Sequence, residues 1–228
     1  MSRRGAVGVV VVCGLAAAGV FVGGPVSAAP VVVLDEEQLA SALLTPATAR
    51  GPGWTAAEPD VIEREPRTLA NDVEGGWCGG ATDAYAAGEL QVAATAETTL
   101  TKTVAPDEPL WFLWTKAYSF PDVARAKSFL ETIAAAEGSC DSWVIEGEPV
   151  NGISVDPLGI PMVGNETLAF RATTAGDGVT EVRDYVYVRL RNNVVVTHTR
   201  ILPPDDALVV RIARTARKSL KQAVKAAA

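Results

Sequence analysis

The sequence predicts an α+β fold: one antiparallel β-sheet with helices packed on one face, in a single domain. Two observations carry that prediction. Strand-like alternation of apolar and polar residues recurs in successive segments, and helical spacing appears in isolated stretches between them. Runs of strands broken by single helices build an antiparallel sheet rather than strand–helix–strand repeats. The 228 residues are 48% hydrophobic and 21% charged, which supplies a core and excludes a disordered or collagen-like chain. The sequence shows no internal repeat and no interdomain linker.

The first predicted element is a helix over residues 35–44. Asp35, Glu36 and Glu37 suit its positive end, Leu39, Ala42 and Leu43 mark one face, and Pro46 stops it. Residues 45–80 hold Pro46, Pro52, Pro59, Pro66 and several glycines, so they read as loop with one or two short strands. Trp54 and Trp77 are expected to anchor that loop. Residues 90–104 and 111–120 alternate, and the turn residues Ala105-Pro106-Asp107-Glu108-Pro109 join them into an antiparallel hairpin. Phe112, Trp114, Tyr118 and Phe120 share one parity of the second strand, either as core or as one wall of an apolar pocket. Pro121 and Asp122 then open a helix in which Val123, Ala126, Leu130 and Ile133 keep helical spacing up to Gly138. Residues 142–150 and 167–174 read as strands around a stretch broken by glycine and proline. Residues 181–191 and 194–202 form a hairpin through Asn192-Asn193, residues that tolerate positive φ. Asp205 caps a terminal helix with Leu208, Ile212, Ala216, Leu220 and Ala223 on one side. Arg211, Arg214, Arg217, Lys218, Lys221 and Lys225 take the rest as a solvated face.

Residues 1–28 read as a secretory signal. Arg3 and Arg4 precede a nearly apolar run over residues 7–22, Gly23-Gly24-Pro25 breaks it, and Val26-Ser27-Ala28 offers a small residue for cleavage. Residues 5–34 carry no charge and are long enough to span a bilayer, so a retained anchor stays open as the alternative. On the first reading residues 29–228 form the mature domain, exported and without stable membrane insertion. Its charge follows from 20 basic residues less Arg3 and Arg4, or 18, against 27 acidic, which is −9. Outside the cytoplasm the remaining Cys78 and Cys140 read as one disulfide closing a loop of about 62 residues, worth about 4 kcal/mol. Two buried free thiols are the other reading.

The net charge of −7 argues against nucleic acid as a partner, and one histidine with three cysteines leaves little for a zinc site. No cofactor or metal is expected. His198 is the single candidate base, it sits mid-strand, and no GxSxG, GxGxxG or Walker loop is present. No catalytic residue is assigned. A carboxylate-pair hydrolase of the envelope, drawing on acids such as Glu146, Glu148 and Asp156, is the alternative function. Asn165-Glu166-Thr167 matches a short glycosylation sequon.

One constellation points to binding. Pairing Arg191 with Val194 across the second hairpin sets Tyr187 opposite His198 and Tyr185 opposite Arg200. One face then gathers Arg183, Tyr185, Tyr187, Arg189, Arg191, His198 and Arg200. Tyrosines with arginines can hold an anionic or sugar-like ligand or a protein partner. A plain solvent-facing sheet surface is the other reading. The opposite parity, with Val186, Val188 and Leu190, is expected beneath a helix.

The run Trp114-Thr115-Lys116-Ala117-Tyr118-Ser119-Phe120-Pro121-Asp122, continuing to Leu130, resembles a family of actinobacterial extracytoplasmic domains. That family includes the sensor domain of PknH-type receptor serine/threonine kinases. Leu43-Leu44-Thr45-Pro46, Cys140 with Trp143, and Asn193-Val194-Val195-Val196 carry the resemblance further. It implies an α+β sensor fold with a cleft over its sheet, and binding without known catalysis. The kinase sensor looks like a two-disulfide domain, whereas this mature chain can form one, and no kinase domain accompanies it. The expected function is a secreted, monomeric, non-enzymatic domain binding an envelope ligand or protein, with Tyr185, Tyr187, Arg189, His198 and Arg200 as candidate contacts.

Overall fold

The computed structural model describes residues 30–49, 53–56, 91–103, 111–138, 143–145, 148–150, 153–176 and 179–228. The chain divides into two compact units, Met1–Pro30 and Val31–Ala228. Cys78, Cys140, Trp77 and the cleavage site near Ala28 lie outside the described residues, as does the proposed disulfide.

Side chains that satisfy free backbone N–H groups set where the helices begin. Helix α1 (Glu36–Ala40) starts from a capping box, in which Asp35 Oδ1 accepts the Gln38 N–H at 2.8 Å and Gln38 Oε1 accepts the Asp35 N–H at 3.0 Å. It is shorter than predicted, because residues 41–44 turn so that Ala42, Leu43 and Leu44 are all buried. Helix α2 (Val123–Gly138) begins one residue after Asp122. The Asp122 carboxylate accepts the Arg125 N–H at 2.8 Å, so this acid is the cap rather than part of the first turn. Helix α3 (Asp206–Ala226) is capped as predicted, with Asp205 Oδ1 accepting the Leu208 N–H at 2.9 Å.

The strands are β1 (Thr55–Ala56), β2 (Ala94–Lys102), β3 (Trp111–Ser119), β4 (Trp143–Ile145), β5 (Glu148–Val150), β6 (Ile153–Pro157), β7 (Glu166–Gly176), β8 (Val179–Leu190) and β9 (Asn193–Arg200). Seven of them form one antiparallel sheet in the order β1-β2-β3-β9-β8-β7-β6, while β4 and β5 pair separately. The β2–β3 hairpin has the predicted pairing, with Lys102 opposite Trp111. Strand β6 lies in the stretch read as irregular, where three glycines and two prolines hide a five-residue alternation.

Both faces of the sheet are covered, not one. On one side α1, α3 and the entering segment Val32–Leu34 pack on Leu100, Leu113, Ala117, Val186, Val188 and Val195. On the other, Ala126, Phe129, Leu130 and Ile133 of α2 pack with Tyr118, Phe120, Phe170, Tyr185, Tyr187, Val194 and Val196. The physical reason is visible in Val194-Val195-Val196 and in Tyr185-Val186-Tyr187-Val188. Strands apolar at both parities lie in the middle of a sandwich and need a helix on each face.

The β8–β9 hairpin differs from its prediction by two residues. Leu190 pairs with Asn193, and the two-residue loop is Arg191-Asn192, with φ of 58° at Arg191. Tyr185 therefore faces His198, and Tyr187 faces Val196. A shift of two preserves parity, so the face each residue joins is unchanged. Arg191 can hold the turn because Asn165 Oδ1 accepts its N–H at 2.8 Å. The two asparagines are needed elsewhere, as buried amides that fasten the entering segment.

The loop from β6 to β7 lies close against this hairpin. A Cβ on Gly164 would stand 2.4 Å from the Arg189 carbonyl oxygen and 2.8 Å from Val188 Cγ1. Gly164→Ala is accordingly expected to destabilise the domain by about 1–3 kcal/mol, as overpacking against backbone does. Urea unfolding checks this; an unchanged midpoint would show that the loop shifts freely.

Candidate functional site

The residues facing α2 form rows across the sheet, because directly paired residues share a face. One row runs Trp114 (β3), His198 (β9), Tyr185 (β8), Phe170 (β7) and Pro157 (β6). Its rings are in contact. Tyr185 stacks on His198 with centroids 4.3 Å apart, and Phe170 stacks on Tyr185 at 4.9 Å. Phe112 approaches the imidazole at 5.5 Å and Trp114 meets it edge-on at 6.4 Å.

Helix α2 covers this face unevenly. Tyr118 and Phe120 are fully buried, with Phe129 of α2 at 5.2 and 5.4 Å from their rings. Phe112, Trp114, His198, Arg183 and Arg200 remain half-buried. The aromatic set of β3 therefore divides: Tyr118 and Phe120 are core, while Phe112 and Trp114 border His198.

The predicted binding residues do share one face, but they do different jobs. Tyr185 and Tyr187 are 2% and 1% exposed, so their rings belong to the core. Burial holds the Tyr187 phenol well above its usual pKa and keeps it neutral. Arg189 is engaged structurally, donating through Nε to Glu166 Oε2 at 2.8 Å and through Nη1 to the Arg191 carbonyl at 3.1 Å. His198 and Arg200 stay at the less covered end, joined by Phe112, Trp114 and Arg183. The sequence reading overlooked Phe112 and Trp114 as neighbours of His198, although their shared parity in β3 was visible. Which strand lay beside β9 was not. Of the acids considered for hydrolysis, Asp156 is exposed on β6 opposite Arg171, Glu148 falls in β5, and Glu146 lies outside the described residues.

Burial, then the positive charges of Arg183 and Arg200, push the His198 pKa well below 6.5, so the ring is neutral near pH 7. Its Nε2 is buried and meets no hydrogen-bond partner among the described residues. The sign of the pH effect follows. Below about pH 6.5 the unfolded chain protonates this imidazole and the folded protein does not. Stability is expected to fall as pH drops from 6.5 toward the lower folded pKa, by up to about 1.4 kcal/mol per unit. His198→Phe should remove that component. Unfolding curves of both proteins between pH 7 and pH 5 check it, and parallel curves would show that His198 titrates normally.

Among the described residues no three histidine, cysteine, aspartate or glutamate side chains gather as metal ligands. What the site offers is an aromatic floor, a neutral imidazole and two guanidinium groups. That set suits an apolar or planar group carrying negative charge.

Residues 25–218 match the model of a family described as the PknH-like extracellular domain. The chain belongs to that family. The extracellular domain of PknH from Mycobacterium tuberculosis has the same fold, with a TM-score of 0.57 at 15% identity, covering 83% of this chain and 98% of that one. No curated protein matches. A PknH-like extracellular domain is extracytoplasmic, and among the described residues no helix is long and apolar enough to cross a membrane. The resemblance in residues 114–130 falls on β3 and the start of α2, where Tyr118, Phe120, Ala126, Phe129 and Leu130 are packing residues.

Proposed function

We propose that this PknH-like extracellular domain is a non-enzymatic sensor-type binding module of the cell envelope. Its ligand contacts are Phe112, Trp114, His198, Arg183 and Arg200. The observation that supports this reading is the half-buried end of the aromatic row, where two guanidinium groups flank a neutral imidazole. Charged groups beside an apolar floor give orientation and specificity, and the floor supplies contact area. The ligand class is an anionic small molecule with a ring or sugar-like body. A cleaved leader ending near Ala28, a Cys78–Cys140 disulfide and a monomeric state belong to the same proposal.

Native mass spectrometry of protein purified from its own envelope tests the reading, because a retained small molecule is weighed directly. Phe112→Leu with Arg200→Gln should abolish the retained mass and leave the melting temperature within about 4 °C, as expected for a change under about 1 kcal/mol. Undiminished retention by that variant would remove this face from consideration.

A further inference from the structure

Helix α3 turns its buried side, Leu208, Ile212, Ala213, Ala216, Leu220 and Ala223, toward the sheet. At about 100° per residue, Arg211, Arg214, Lys218, Lys221 and Lys225 fall within an arc of about 80°, centred opposite that buried side. All five are exposed. They extend over about 21 Å of helix. Arg211 lies 3.8 Å from Asp205, while Arg214, Lys218, Lys221 and Lys225 make no ion pair among the described residues.

Along the helix itself this arrangement is unfavourable. Arg214 and Lys218, and Lys221 and Lys225, are like charges four residues apart, which repel on a helix. Attraction of cations to the negative helix end reaches only the last turn, and therefore Lys225. Arg211, Arg214 and Lys218 lie further up the helix. The chain has 27 acidic residues, yet after Asp206 helix α3 contains none. Among the described residues no acid neutralises Arg214, Lys218, Lys221 or Lys225, so the row can meet an outside counter-charge.

Val32 and Leu34 are buried in the layer that α3 covers, so the chain enters on α3's side of the sheet. Val31 and Val33 beside them are apolar and 47% and 49% exposed. An extended, convex row of cations suits a flat anionic surface rather than a compact ligand held in a cleft. We infer that the outer face of α3 docks this domain on the anionic phospholipid headgroups of the membrane it is exported across.

Vesicle co-sedimentation tests this with protein purified from the envelope. Vesicles of phosphatidylcholine with about one third phosphatidylglycerol should be bound at least about 20-fold more tightly than pure phosphatidylcholine at low salt. That preference should shrink as the salt is raised to 0.3 M, roughly where exposed charges are screened. Arg214→Gln with Lys218→Gln and Lys221→Gln should remove at least about tenfold of it. The glutamate version of the same triple change should abolish it, while circular dichroism of both variants stays that of the parent. Equal binding to both kinds of vesicle, or a preference retained in the glutamine variant, overturns the inference. Binding to soluble polyphosphate without binding to vesicles would assign the face to a polymer instead, and likewise overturns it.

Discussion

Asn192→Leu is expected to lower the stability of this PknH-like domain by about 3–5 kcal/mol, the largest effect of any single side chain discussed above. The Asn192 amide is fully buried. Its Nδ2 donates to the Val32 carbonyl at 3.0 Å and to the Phe120 carbonyl at 2.7 Å. Its Oδ1 accepts the Val32 N–H and Asn193 Nδ2, both at 3.3 Å. Leucine keeps the volume but leaves the Phe120 carbonyl and the Val32 N–H without this partner, in a place that water does not reach. Each such loss costs about 1–3 kcal/mol. The Val32 carbonyl keeps Asn193 Nδ2 at 3.0 Å, which limits the total. The amide joins three distant parts of the chain: the entering segment, the approach to α2 and the turn before β9. Its loss should therefore loosen α2 and expose Tyr118 and Phe120 to a hydrophobic dye. Urea unfolding measures the first effect and dye fluorescence the second. A change below about 1 kcal/mol would mean that the amide is not the fastening.

Arg171→Met is expected to destabilise the domain by about 3 kcal/mol. The guanidinium reaches across from β7 to Asp184 of β8, with Nε 2.6 Å from Oδ1 and Nη2 3.0 Å from Oδ2. Nη2 also donates to Asp206 Oδ1 at 2.7 Å, at the start of α3. Asp184 is only 3% exposed. Donating hydrogen bonds to the Asp184 carboxylate, and then to Asp206, raises the Arg171 pKa further above its already high value, so the arginine stays charged. Without it, a carboxylate is left buried and unpaired, the costly half of a broken ion pair. Removing both partners avoids that penalty. Arg171→Met with Asp184→Leu should therefore be less destabilised than Arg171→Met alone. Thermal or urea unfolding of the two variants decides this. A double variant as unstable as the sum of its parts would show that the pair makes no specific interaction.

The cap at Asp205 and the acidic start of α1 were legible because each is a local event within four residues, although Asp35 proved to be the cap of α1 and not its first residue. The hairpin of β2 and β3 was legible for a similar reason, since turn residues and alternation act between neighbours. The β8–β9 turn was misplaced because Asn192 and Asn193 look like turn residues in isolation. Their amides are taken up by Val32, about 160 residues away in the chain, which local reasoning has no means to weigh. Strand β6 was missed because five residues carry too weak a period beside Gly159 and Pro161.

The candidate face shows the same division. Parity alone grouped Tyr185, Tyr187, Arg189, His198 and Arg200, since the sheet period is two and survives a two-residue shift of register. Parity states which side chains are neighbours, but not what packs over them. Only the tertiary structure placed α2 above Tyr185 and Tyr187, turned Arg189 to Glu166, and left His198 and Arg200 beside Phe112 and Trp114. The class of fold and the order of its elements were thus determined by short-range periodicity and capping. Which residues became core and which stayed half-buried was decided by the covering of both sheet faces, a consequence of long-range packing.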